Sequence, residues 1–135
     1  MRIVVDTSVW SLALRRQSSA AHPEAVLLRN LIERGEDIFL LGIILQEVLQ
    51  GVRNLKDFKQ LKEYFVPFPI IELTREDHIK AAELKNHLMS NGKQAGTVDV
   101  VIASAAISYG CYLFTTDQDF TYIAMHSKLT LLNKK

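Results

Sequence analysis

Apolar residues fall in two rhythms along the chain. Short runs of β-branched and large aliphatic residues at 2–5, 38–41, 70–73, 112–115 and 129–132 read as buried strands. Between them lie stretches with apolar residues at helical spacing, and their punctuation sets the ends. Asp6-Thr7-Ser8 caps a helix over 8–16, and a second runs from Pro23 to Arg34 and stops at Gly35. Gly42 turns into a helix over 43–52, and 56–65 continues helically with Leu55, Phe58, Leu61 and Phe65 in phase. Pro67 and Pro69 bracket a break. Thr74-Arg75-Glu76-Asp77 has the character of a capping box and opens a long helix to Ser90, ended by Asn91-Gly92. After a loop over 93–96 come a helix over 97–109, stopped by Gly110, and a short helix that begins at Asp117. Strands alternating with helices predict a mostly parallel sheet covered on both faces, a three-layer α/β/α sandwich.

Composition narrows the class without naming it. The chain has 135 residues, 48% apolar and 23% charged, which predicts one soluble globular domain over 1–135. Its single cysteine, Cys111, excludes an internal disulfide and a Cys-rich zinc site, and fits a reducing, cytoplasmic setting. No apolar run is long enough to span a bilayer, and the apolar run at 3–5 is too short for a secretion signal. Sixteen basic against 15 acidic residues leave a net charge of +1, which at first argues against a nucleic-acid binder.

The acids are where the sequence departs from an ordinary domain. Glu33, Glu36, Asp37, Asp57, Glu63, Glu76 and Glu83 sit among polar neighbours and read as surface. Asp6 instead ends an apolar strand, Glu47 sits within Ile43–Leu49, Asp99 within Thr97–Ala103, and Asp117 and Asp119 follow the fourth strand. In a parallel α/β sheet the helices run back antiparallel to the strands. Strand carboxyl ends and helix starts therefore share one edge, and that edge is where open α/β sheets place their ligands. Asp6, Glu47, Asp99 and Asp117 all belong to it. Asp99 falls on the side of its helix that carries Ala103 and Ala106, and a carboxylate on so apolar a helix is costly unless paired or metal-bound. Capping is the competing explanation for Asp6, Asp99 and Asp117. Glu47 lies too far into its helix to cap, and its alternative is a polar stripe with Gln46 and Gln50. Carboxylates sharing one cleft repel, and a divalent cation removes the conflict; oxygen-only ligation suits Mg²⁺ or Mn²⁺.

Four segments together resemble a known family. They are Val4-Val5-Asp6-Thr7-Ser8-Val9-Trp10, Gln46-Glu47-Val48-Leu49-Gln50-Gly51, Asp99-Val100-Val101-Ile102-Ala103-Ser104-Ala105-Ala106 and Thr115-Thr116-Asp117-Gln118-Asp119-Phe120. In order and spacing the chain resembles the PIN-domain ribonucleases, specifically the VapC-type toxins of bacterial toxin–antitoxin pairs. The resemblance implies a Mg²⁺- or Mn²⁺-dependent endoribonuclease on a five-stranded parallel sheet of order 3-2-1-4-5. It implies Asp6, Glu47, Asp99 and Asp117 as the catalytic, metal-holding acids, with Asp6 and Asp117 facing each other. Thr7 and Thr116 would orient carboxylates through their hydroxyls, and Asp119 would join through water or cap the last helix. It further implies a homodimer, an antitoxin bound across the cleft, and tRNA, rRNA or mRNA as substrate.

The remaining signals are weaker. Arg15, Arg16, Arg53, Lys56, Lys59 and Lys62 can reach phosphates but each alone reads more readily as a solvated helix face; Lys93, just before Asp99, is the better RNA contact. His22, His78, His87 and His126 are scattered, Cys111 reads as a core thiol, and Trp10 packs the first helix or a dimer surface. The glycines at 92 and 96 lack the Gly-Lys-Ser/Thr of a nucleotide-binding loop. Asp117-Gln118-Asp119-Phe120-Thr121 resembles a haloacid-dehalogenase motif but comes at the wrong end of the chain. A receiver-like domain needs a phosphoacceptor Asp after a mid-chain strand, where Leu73-Thr74 stand instead. A non-catalytic interaction domain, its acids serving as helix caps, is the other alternative. Setting aside the four central acids leaves 16 basic against 11 acidic residues, so a basic surface around an acidic cleft is compatible with the near-neutral total.

Overall fold

The computed structural model describes residues 1–15 and 19–132, so Arg16 lies outside the described residues. Four parallel strands form the sheet: β1 (Arg2–Val5), β2 (Asp37–Leu41), β3 (Ile70–Ile71) and β4 (Tyr112–Phe114), in the order β3-β2-β1-β4. Ile3, Val4 and Val5 are all fully buried. Successive strand residues point to opposite faces, so burial of all three means that both faces of β1 are covered.

Among the described residues seven α-helices supply the cover: α1 (Thr7–Ala13), α2 (Pro23–Glu33), α3 (Gly42–Leu49), α4 (Leu55–Tyr64), α5 (Arg75–Ser90), α6 (Thr97–Ser108) and α7 (Asp119–Met125). They pack as two sets, α1 with α2 and α3 and α4 on α3, and α5 with α6 and α7. The chain builds outward from β1 to β3, then returns through α5 and α6 to place β4 on the other side of β1. Right-handed crossovers in opposite directions require helices on opposite faces.

Two differences from the sequence reading concern strands. The segment 129–132 is not a fifth strand: it meets the sheet at one bridge, Leu113 with Leu131. Leu113 donates its N–H to Thr130 O (3.0 Å) and accepts from Leu132 N–H (2.8 Å), so a single residue of β4 carries the contact. β3 is shorter than 70–73 because its only ladder pairs Leu40 with Ile70 and Leu41 with Ile71. β2 ends at Leu41, where Gly42 opens α3, and β3 has nothing further to pair with.

Packing fixes the helices that matter for the site. Trp10 on α1 is fully buried, with its ring 4.9 Å from Phe65, 5.4 Å from Phe68 and 6.3 Å from Tyr64, all edge-on. It therefore belongs to the core of its own chain. Cys111 is buried too, and burial pushes its thiol up. α6 runs through the core with Val100, Ile102, Ala103, Ala105 and Ala106 buried. Its end is pinned at Tyr109, whose hydroxyl donates to Asp77 Oδ2 (2.8 Å) and whose carbonyl accepts from Arg2 Nη2 (2.9 Å). Asp77 also closes the capping box with Thr74 that the sequence predicts. No helix among the described residues is long and apolar enough to cross a membrane.

Candidate metal centre

The β1–β4 ladder pairs Val5 with Phe114, so the next residues, Asp6 and Thr115, leave the sheet side by side. Asp6 N–H still donates to Phe114 O (2.9 Å), which holds the two chain segments together at the turn into α1. The Asp6 side chain is buried, yet it does not cap α1. Its Oδ2 accepts from Ser8 Oγ (2.9 Å) and Thr115 Oγ1 (2.9 Å). Each hydroxyl is held in turn: Thr116 N–H donates to Ser8 Oγ (3.1 Å) and Asp117 N–H to Thr115 Oγ1 (3.0 Å). Buried carboxylates require such partners.

Glu47, the sixth residue of α3, accepts from Thr7 Oγ1 (2.8 Å), which ties α3 to the start of α1. Thr7 thus meets a carboxylate through its hydroxyl. Thr116 does so only indirectly: it is exposed and contributes its backbone N–H to Ser8. The direct hydroxyl partners of Asp6, Ser8 and Thr115, were not singled out for that role in the sequence. The available signal was register, since a parallel partner of β1 that ends at Phe114 must set Thr115 opposite Asp6.

Asp99 is the third residue of α6, whose N-cap is Gly96 with no side-chain cap bond. Asp117 Oδ1 accepts from Asp119 N–H (2.9 Å) at the start of α7, so capping accounts for part of what Asp117 does. Oxygens of Asp99, Asp117 and Asp119 all lie within 4.8 Å of one another. Among the described residues these three form a grouping that could hold a metal ion, and it includes Asp119. Asp6 and Glu47 act on it through charge. The Asp99 carboxyl is pushed up to about 6, first by burial and then by the charges of Asp117, Asp119, Asp6 and Glu47. All five acids singled out in the sequence therefore converge on one edge of the sheet.

The donor set suits a hard divalent cation: three carboxylates within reach of one another, only oxygen donors, and an excess of negative charge that Asp99 registers. The basic residues are placed differently. Arg15 and Arg53 are exposed beyond the C-terminal ends of α1 and α3, and Lys56, Lys59 and Lys62 lie exposed on α4. Lys93 stands in the loop before α6, its Nζ 4.8 Å from the ring centre of Tyr122 on α7.

Known proteins share the fold. The family model of the PIN domain matches residues 3–125. Among solved structures, VapBC2 from Rickettsia felis, bound to a DNA fragment from its promoter, is 21% identical, with a TM-score of 0.79 and 100% of both chains covered. FitAcB from Neisseria gonorrhoeae is 23% identical, with a TM-score of 0.72 over 97% of this chain and 96% of that one. VapC20 from Mycobacterium tuberculosis, described as a sarcin-ricin loop cleaving toxin, is 16% identical, with a TM-score of 0.64 over 95% and 98%. No curated protein matches the chain.

Proposed function

The chain belongs to the PIN domain family, and from that premise we propose that it is a Mg²⁺- or Mn²⁺-dependent endoribonuclease acting as the toxin of a toxin–antitoxin pair. The observation that carries this reading is Asp99, half-buried and raised to about 6 amid Asp6, Glu47, Asp117 and Asp119. A protein that keeps such a charge conflict in an open cleft stands to gain from a bound cation.

Asp99, Asp117 and Asp119 would hold the ion, with Asp6 and Glu47 completing the acidic wall. When bound, a divalent cation activates water and neutralises phosphate oxygens for in-line displacement. The chain's own residues fix the geometry. Ser8 and Thr115 hold Asp6 in one orientation through its Oδ2. Thr7 holds Glu47. Burial on α6 and the neighbouring acids raise the Asp99 carboxyl to about 6, so at neutral pH it is ionised against a repulsion that a positive charge would relieve. Lys93, in the loop before α6, would take a phosphate of the RNA, and Arg15 and Arg53, beyond the ends of α1 and α3, would meet RNA that extends from the cleft.

The rest of the reading follows from the family and the neighbours. The chain would act as a single domain in the cytoplasm, as a homodimer, silenced by an antitoxin across the cleft; several of the similar structures are toxin–antitoxin complexes. The RNA would be a tRNA, an rRNA or an mRNA. Asp117's cap bond is the observation that favours a non-catalytic domain with acids as caps, and it covers one acid only. The test is incubation of the purified, antitoxin-free protein with total cellular RNA. Discrete fragments with Mn²⁺ and none with EDTA are expected; intact RNA in both would remove the nuclease reading.

A further inference from the structure

α7 carries a second feature beside the acids. Tyr122 lies one turn after Asp119, and residues three apart on a helix are neighbours at roughly 5–6 Å between Cβ atoms. Tyr122 is 51% exposed. The Lys93 ammonium rests over its ring at 4.8 Å. The loop that presents Lys93 is anchored at both ends: Lys93 N–H donates to Leu88 O (2.9 Å), and Ala95 O accepts from Lys85 Nζ. Cation and ring thus meet one turn along α7 from Asp119, a member of the acidic cluster. An exposed aromatic face beside a fixed cation matches a nucleotide, which offers a base to stack and a phosphate to pair.

We propose that Tyr122 and Lys93 form a subsite for the nucleotide next to the cleaved phosphate, Tyr122 stacking its base and Lys93 taking its phosphate. The subsite requires a base that is free to leave its neighbours, so it accepts single-stranded RNA and rejects a duplex. The inference rests on the ribonuclease reading and adds a specificity-determining residue to it. Tyr122 contacts substrate here without entering the chemistry, so its loss alters binding more than turnover.

The test uses Mn²⁺-loaded protein and a short single-stranded RNA, with Tyr122→Leu, Tyr122→Phe and Lys93→Gln. Tyr122→Leu raises KM about tenfold, the scale of one lost base–aromatic stack, with kcat within about twofold. Tyr122→Phe keeps the ring and the wild-type KM. Lys93→Gln lowers the slope of log affinity against log salt by about 0.7, the loss of one phosphate contact on a single strand. Cleavage by the wild type with an unchanged KM in Tyr122→Leu overturns the subsite and leaves the nuclease reading intact. An unchanged KM with a lost oligomer assigns the face to a protein contact and overturns it equally. No cleavage by the wild type removes the nuclease reading and the subsite with it.

Discussion

Thr115 stands beside Asp6 and donates its hydroxyl to Asp6 Oδ2 at 2.9 Å, while its own oxygen accepts the Asp117 N–H at 3.0 Å. One hydroxyl therefore sets both the orientation of the buried acid and the path of the turn that carries Asp117 and Asp119. Thr115→Val keeps the shape and removes both bonds. It is expected to destabilise the fold by about 2 kcal/mol, the cost of losing hydrogen bonds to a charged group, and to reduce RNA cleavage by about 10–100-fold. Thr115→Ser restores most of both. Urea unfolding followed by the fluorescence of the single Trp10, alongside cleavage rates, checks this; a Val variant with wild-type activity would contradict it.

Asp99 makes stability depend on pH in a known direction. Its carboxyl is raised from 3.8 to about 6, so between those values the folded chain keeps a proton that the unfolded chain has lost. The unfolded state then binds fewer protons, and the contribution of Asp99 to stability falls as pH rises through that window. Metal-free Asp99→Asn is therefore more stable than the wild type at pH 7.5, on the order of 1 kcal/mol once solvent screening of this half-buried group is allowed for. That corresponds to roughly 4 °C in Tm. Below about pH 4 the two proteins converge. Melting curves at pH 4 and 7.5 decide the matter; an advantage confined to pH 4 has the wrong sign for this account.

Adding Mn²⁺ reverses that ranking. A ligand at about 100 times its Kd stabilises the folded state by about 2.7 kcal/mol. The wild type gains this, while Asp99→Asn, lacking one of the three clustered carboxylates, gains far less. Calorimetric titration with Mn²⁺ measures the difference directly. Equal binding by the two proteins would place the ion elsewhere.

Trp10 couples the core to the site, because α1 begins at Asp6 and is held down by the Trp10, Phe65 and Phe68 rings. Trp10→Ala empties the largest fully buried side chain and is expected to cost about 3–5 kcal/mol. Urea unfolding followed by far-ultraviolet circular dichroism gives the value. A loss under about 1 kcal/mol, the scale of a surface substitution, would mean that the aromatic cluster does not hold α1.

The sequence made some of this legible and hid the rest for physical reasons. β1, β2 and β4 stood out because residues buried on both faces leave unbroken apolar runs. The segment 129–132 looked the same, since an apolar run records burial and says nothing about how many residues pair; only Leu131 bridges β4. Asp6, Glu47 and Asp99 were conspicuous as carboxylates in apolar surroundings. Asp119 also stood out by following β4, but whether it joins the site or only serves the last helix was open, because its approach to Asp99 and Asp117 depends on the turn after β4. Thr115 and Thr116 are adjacent and alike in the sequence, and only strand register separates the one that bonds Asp6 from the one that does not.

If the carboxylates around Asp99 hold a divalent cation that supports RNA cleavage, activity depends on both the metal and Asp99. Single-turnover cleavage of end-labelled RNA by the antitoxin-free wild type and Asp99→Asn, both in Mn²⁺, measures this dependence most directly. The expected result is metal-dependent cleavage by the wild type and a rate for Asp99→Asn at the level of the EDTA control. Equal rates for the two proteins, or wild-type cleavage that persists in EDTA, would contradict it.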